Sequence, residues 1–276
     1  MPSPQRPHLP GVQHLIAVAS GKGGVGKSTV AANLALALLA EGHATGVLDA
    51  DIYGPSQPLM LGVRGAKPES KDGKHGEPVM AHGLQTMSVG YLIDEEAPMI
   101  WRGPMVTQAL HQLLFDTAWR DLEFLVIDLP PGTGDVQLSL VQRIPLAGAV
   151  IVTTPQEIAQ TVARKGLRMF QKVNVPVLGV IENMSTHVCA KCGHEEDVFG
   201  SGGAQRLAGQ EGVPLLGRLP LDAKIRERGD QGRPVVVAEP DGRAAQAFRE
   251  IARRVVERVQ AGAHAAAFPK ITIEET

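Results

Sequence analysis

Cysteine is nearly absent: the 276 residues contain two, Cys189 and Cys192. So few thiols exclude a small fold stapled by disulfides. Long apolar runs are missing as well, and no segment reaches the roughly 18 residues needed to span a bilayer as a helix. The first ten residues are rich in proline and lack the apolar core of a secretory signal, so the expected compartment is the cytoplasm. An excess of either charge is also lacking, since 27 Lys and Arg stand against 29 Asp and Glu, for a formal net charge of -2. That balance gives no electrostatic reason to expect a nucleic acid or an anionic membrane as partner. No internal repeat is present.

What is present is an ordinary soluble composition, with 43% apolar and 20% charged residues, and enough chain for one sizeable core. Apolar, β-rich runs alternate with helical patterns, the signature of βαβ units and a parallel sheet covered on both faces. The runs are residues 15–20, 45–49, 84–89, 124–128, 149–153, 177–182 and 213–219, and helical patterns fall at 27–40, 104–115, 156–173 and 202–210. The expected fold is α/β, a mostly parallel, doubly wound sheet of about seven to eight strands. Residues 1–13 read as a flexible tail, 14–262 as one domain, and 263–276 as a C-terminal tail. Residues 62–83, rich in Gly, Lys, Pro and Asp, read as a surface excursion with room for a small hairpin. Apolar residues recur at helical spacing through 241–260, with both charge signs on the opposite face. That pattern fits a closing helix on the sheet rather than a membrane-surface helix.

Residues 21–28, Gly-Lys-Gly-Gly-Val-Gly-Lys-Ser, fit G-x-x-x-x-G-K-[ST] between a predicted strand and a predicted helix, the context that a phosphate-binding loop requires. The glycines let backbone N–H groups close around phosphate oxygens, and the helix presents its positive end. The residues expected to hold ATP are Gly21, Lys22, Gly23, Gly24, Val25, Gly26, Lys27, Ser28 and Thr29. Lys27 pairs with the β- and γ-phosphates, and Ser28 is a ligand for Mg²⁺. Lys22 is unusual, because that position is ordinarily free to vary. A lysine there adds positive charge where charge develops on the γ-phosphoryl group.

Two further acidic strand ends belong to this reading. Asp49 and Asp51 lie two apart, so a regular strand would aim both at one face, and their repulsion requires one of them to leave it. Residues 124–128 form a buried-strand pattern ending in Asp128, placed to hold a water of Mg²⁺. The Pro- and Gly-rich residues 129–135 that follow suit a second switch reading the γ-phosphate through Gly132 or Gly134.

The loop at 184–199 carries Cys189 and Cys192 at chelating spacing. Two ligands are too few for a tetrahedral Zn²⁺ or a [4Fe–4S] cluster. Either His187 and His194 complete a set or a second subunit supplies two more thiolates. A redox pair of the kind that opens a helix fits this polar loop less well.

GKGGVGKS resembles the deviant Walker A loop of the nitrogenase iron protein, MinD and ParA class. The resemblance implies that Lys22 reaches the partner subunit's nucleotide, that Asp51 orients the attacking water, and that Asp49 sits near Mg²⁺. GKGGVGKST, DADIYGPS, DLPPGTGD, ENMS, CxxCG and FGSGGA in that order, over roughly residues 14–260, resemble the Mrp family of iron-sulfur cluster carrier ATPases. That likeness implies a homodimer holding a [4Fe–4S] cluster on Cys189 and Cys192 of both subunits. The cluster would come from scaffold proteins and pass to apo-protein clients, and Asn183 would recognise adenine. Many bacterial members carry a further N-terminal domain, whereas only residues 1–14 precede the first strand here, and a second, N-terminal cysteine cluster is not expected. Two alternatives stay open: a ParA/MinD-like positioning ATPase that binds DNA or membrane, which leaves the cysteines unexplained, and the same ATPase with a structural zinc at the CxxC loop. The nitrogenase iron protein's electron transfer fits less well, because its cluster cysteines are widely separated.

Overall fold

The computed structural model describes residues 8–92, 103–189 and 191–267. Residues 1–7 of the expected N-terminal tail and 268–276 of the expected C-terminal tail lie outside the described residues. The chain runs β1 (Val12–Ser20), α1 (Lys27–Ala40), β2 (Thr45–Asp49), α2 (Gln57–Met60), β3 (Val79–Ala81), β4 (Leu84–Ser88) and α3 (Gly103–Phe115). It continues through β5 (Leu122–Asp128), α4 (Asp135–Arg143), β6 (Leu146–Thr153), α5 (Glu157–Lys172), β7 (Val177–Glu182), β8 (His187–Val188), β9 (Glu195–Glu196) and α6 (Gly203–Glu211). The last elements are β10 (Leu215–Arg218), α7 (Ala223–Asp230), α8 (Val235–Ala238) and α9 (Arg243–Ala267).

Eight strands form one sheet in the order β10-β7-β6-β1-β5-β2-β4-β3. Every neighbouring pair is parallel except β3 with β4. The central strands are continuous apolar runs because each face meets a different layer of helices. In β1, Leu15, Ala17 and Ala19 join the core on one side while Ile16 and Val18 join the other. β5 repeats the alternation, with Leu125 and Ile127 opposite Phe124 and Val126. A strand with period two and both faces buried shows no polar face in its sequence. One core takes in residues of α3, α4, α5 and α6; the other takes in residues of α1, α8 and α9. α1 is buried through Val30, Ala31, Ala32, Leu34, Ala35 and Leu38, and its small residues let α9 approach with Phe248, Ile251 and Val255.

The doubly wound, mostly parallel sheet agrees with the expectation, and all seven predicted strand runs lie in it. The excursion at 62–83 holds β3, which turns back on β4 as an edge hairpin. Four helices escaped the sequence reading for identifiable reasons, and the first, α2, is only four residues long. α7 buries a single residue, Ile225, and so has no apolar stripe. α8 is a Val-Val-Val-Ala run whose β-branched residues favour a strand, yet burial of Val235 and Val236 holds it helical. α4 starts straight after the Pro- and Gly-rich 129–134.

Candidate nucleotide site and cysteine hairpin

The chain leaves β1 in the middle of the sheet, with β5 on one side and β6 on the other. Connections diverge there, and the crevice beyond the carboxyl ends of such strands is where ligands of open α/β sheets bind. Residues 21–26 occupy this crevice and lead into α1. Gly24 (φ 81°) and Gly26 (φ 80°) adopt the left-handed conformation that a side chain disfavours. A Cβ on Gly21 would lie 2.4 Å from the Val162 carbonyl carbon, and one on Gly26 would lie 2.3 Å from Asn183 Nδ2. A Cβ on Gly23 or Gly24 would meet nothing within 4 Å, so this stretch of backbone faces open space.

Behind the loop lies a buried polar cluster. Lys27 Nζ donates to Asp128 Oδ1, donates to Ser28 Oγ at 3.2 Å, and lies 3.8 Å from Asp51 Oδ2. Lys27 is 6% exposed, and Asp49 and Asp128 are fully buried. β2 ends at Asp49, and the Ala50 N–H bonds to the Asp128 carbonyl at 2.9 Å, so Asp51 is the acid that leaves the strand. Asp49 accepts from the N–H groups of Asp51 (3.2 Å), Ser56 (3.0 Å) and Gln57 (3.0 Å), and from Ser88 Oγ (3.2 Å). It thereby anchors the loop that carries Asp51. Burial first, and the Asp128 charge second, push the Asp49 carboxyl up to about 7 against the pull of the amides. Burial also raises Asp51, with the Lys27 charge opposing it. The Lys22 ammonium has no hydrogen-bond or ion-pair partner among the described residues.

Sequence reasoning missed Gln57. It is 1% exposed, and its Nε2 donates to Asp128 Oδ2 at 2.9 Å and to the Ser28 carbonyl at 3.0 Å. Its only signal is position, next to the Pro-Ser turn after Asp51. Gln57 Oε1 and Ser56 Oγ are buried with no hydrogen-bond partner. Because Gln57 bonds both Ser28 and Asp128, its unpartnered oxygen fits a hydrated divalent cation, whose waters bring the donor that is lacking.

Asn183 follows β7 and leans on the loop, its Nδ2 donating to the Val25 carbonyl at 2.8 Å. Beside it opens a cavity of about 510 Å³ lined by Gly26, Thr29, Met184, Pro220, Leu221 and Ile225, among others. His187 lines the same cavity, and its Nδ1 lies 3.1 Å from the Leu221 carbonyl. From His187 the chain enters β8, which pairs with β9 as a two-stranded antiparallel hairpin. The cysteines therefore sit on a hairpin tip rather than in an irregular loop. The Cys189 N–H donates to the His194 carbonyl and the Gly193 N–H to the Cys189 carbonyl, both at 2.9 Å. The Lys191 and Cys192 amides, and then the Cys192 side chain, hold the Cys189 thiol below the ordinary range. Cys192 is exposed and Cys189 half-buried. Among the described residues, no three His, Cys, Asp or Glu side chains are grouped so as to hold a metal ion, so His187 and His194 do not join the cysteines in a ligand set.

A parallel sheet whose central strand runs into this loop, with Lys27 facing the acid at the end of the adjacent strand, defines a P-loop NTPase. Residues 11–256 match the family described as ParA: NUBPL iron-transfer P-loop NTPase, and the chain belongs to that family. It is 56% identical over 254 residues to the iron-sulfur cluster carrier protein of Salmonella typhimurium, covering 92% of this chain and 69% of that one. It is 50% identical over 259 residues to the mouse iron-sulfur cluster transfer protein NUBPL, covering 93% and 81%. Among solved structures, a nucleotide-binding protein from Archaeoglobus fulgidus in complex with ADP matches with a TM-score of 0.74 at 37% identity, over 86% of this chain and 92% of that one. The cell division ATPase MinD of Pyrococcus furiosus shares the fold, with a TM-score of 0.65 at 24% identity over 88% and 98%. No described helix is long and apolar enough to cross a membrane.

Proposed function

We propose that the chain is an ATP-hydrolysing carrier of iron-sulfur clusters, working as a cytoplasmic homodimer that takes a [4Fe–4S] cluster from a scaffold protein and delivers it to apo-protein clients. One observation carries this reading: a single segment, residues 183–189, touches the phosphate loop at one end, lines the adjacent cavity in its middle and carries the first cysteine at the other. The names of the relatives, iron-sulfur cluster carrier protein and iron-sulfur cluster transfer protein, support it.

In this reading the N–H groups of residues 21–29 bind the phosphates, and Lys27 exchanges Asp128 for the β- and γ-oxygens. Ser28 would hold Mg²⁺ directly and Asp128 through water; when bound, the ion neutralises charge on the phosphates. Asp49 supports that site from behind by fixing the loop of Asp51, which orients the attacking water. Lys22, without a partner among the described residues, reaches the partner's nucleotide. Asn183 and the cavity beside it take the adenine.

Two thiolates per chain are half of a four-thiolate set, so a cluster bridging two copies completes it. Delivery is ligand exchange: client thiolates replace Cys189 and Cys192 on iron, with no change in electron count. Anaerobic reconstitution with iron and sulfide, on wild type and on the Cys189→Ala/Cys192→Ala variant, tests this. About four iron and four sulfide per dimer are expected in the wild type and none in the variant. Iron content unchanged in the variant, or stoichiometric zinc in place of a cluster, would refute it.

A further inference from the structure

Gln57 has a side-chain amide whose orientation is dictated by its neighbours. Asp128 Oδ2 at 2.9 Å and the Ser28 carbonyl at 3.0 Å are both acceptors, so only Nε2 can face them. Both N–H groups are used by this arrangement. Turning the amide over would set an oxygen against a carboxylate. Oε1 is left with two lone pairs and no donor, in a side chain 1% exposed to solvent. An acceptor stranded in this way pays its desolvation without a hydrogen bond in return. Ser56 Oγ, the preceding residue's oxygen, is stranded in the same manner. An orphaned acceptor on the amide that already bonds Asp128 and Ser28 points to a missing partner that brings an O–H donor.

We propose that Gln57 is a positioning residue for the divalent cation of the bound nucleotide: its Oε1 accepts from a water on the ion while its Nε2 steadies Asp128. This rests on the reading that the site binds a magnesium nucleotide. The same residue ties the ion to the loop of Asp51, because its backbone N–H is held by Asp49 Oδ2 at 3.0 Å. Gln57 is thus the one described side chain that bonds both to the first turn of α1 and to the acid ending β5 while its backbone bonds to the acid ending β2.

Mn²⁺ uptake by the full-length protein with ADP, read by electron paramagnetic resonance, tests the proposal on wild type, Gln57→Met and Gln57→Glu. Gln57→Met keeps the volume and removes the acceptor, and Mn²⁺ should then bind at least about 10-fold more weakly. ADP affinity in EDTA should be unchanged. Gln57→Glu keeps acceptor oxygens but loses the donor to Asp128, so it should hold Mn²⁺ more weakly than the wild type yet more tightly than Gln57→Met, an order that a purely structural role would not give. Wild-type Mn²⁺ affinity in Gln57→Met, or equal losses in both variants with and without metal, would overturn the proposal. If Gln57→Met fails to fold, Gln57→Leu takes its place, with the same weakening expected and wild-type Mn²⁺ affinity again counting against the proposal. A wild type whose ADP complex takes up no Mn²⁺ would instead overturn the parent reading of the site.

Discussion

The nucleotide site and the cysteine hairpin are built on opposite principles. The first sits over the center of an eight-stranded sheet, and its acids Asp49 and Asp128 are fully buried among fixed donors. The second stands on two strands of two residues each, with one cysteine exposed and the other half-buried. A site that must align charge on a phosphate benefits from a scaffold that is already rigid. A site that must accept and release cargo needs thiols that a client can reach. On the proposed reading, stability and exchange are assigned to different layers of one chain.

Substitutions graded from the sheet outward break that contrast in order. Phe124→Ala, at a fully buried side chain near the start of β5, should cost about 3–5 kcal/mol in urea denaturation. Next comes the buried acid pair. A carboxyl raised by burial contributes stability that is present below its unfolded value of 3.8 and is lost as pH rises through about 7. Free of nucleotide and metal, the wild type should therefore lose more stability between pH 5 and pH 8 than Asp49→Asn does. Equal slopes would show that Asp49 is not held protonated. Asn183→Ala removes the donor to the Val25 carbonyl and should cost about 1–2 kcal/mol, with weaker nucleotide binding in a fluorescent ADP titration. The smallest effect belongs to the hairpin: Cys189→Ser/Cys192→Ser should shift stability by no more than about 0.5 kcal/mol while abolishing cluster uptake. A large loss there would mean that the hairpin supports the fold.

A related difference sharpens the comparison chemically. With its thiol lowered by the Lys191 and Cys192 amides, Cys189 should react with iodoacetamide at pH 7 faster than an unperturbed thiol. Mass spectrometry of the alkylated peptide would read that rate directly.

The sheet was legible because strands buried on both faces leave continuous apolar runs, and all seven lie where the sequence puts them. The loop at 21–28 was legible because phosphate chemistry restricts its residue types at fixed spacing. The surroundings were harder. Nothing local distinguishes Gln57 from any polar residue in a turn, since its role arises from contacts 29 and 71 positions away. The hairpin around the cysteines was hidden because two-residue strands carry no period. α8 was hidden for another reason, its valines obeying the packing around them rather than their own preference for a strand.

The segment from Asn183 to Cys189 carries a thermodynamic obligation. On the proposed reading one short segment bonds to the phosphate loop through the Asn183 side chain and also bears a cluster ligand, so the two equilibria are linked. Any factor by which nucleotide alters the hold on a cluster must then be returned, undiminished, as a change in nucleotide affinity when the cluster is loaded.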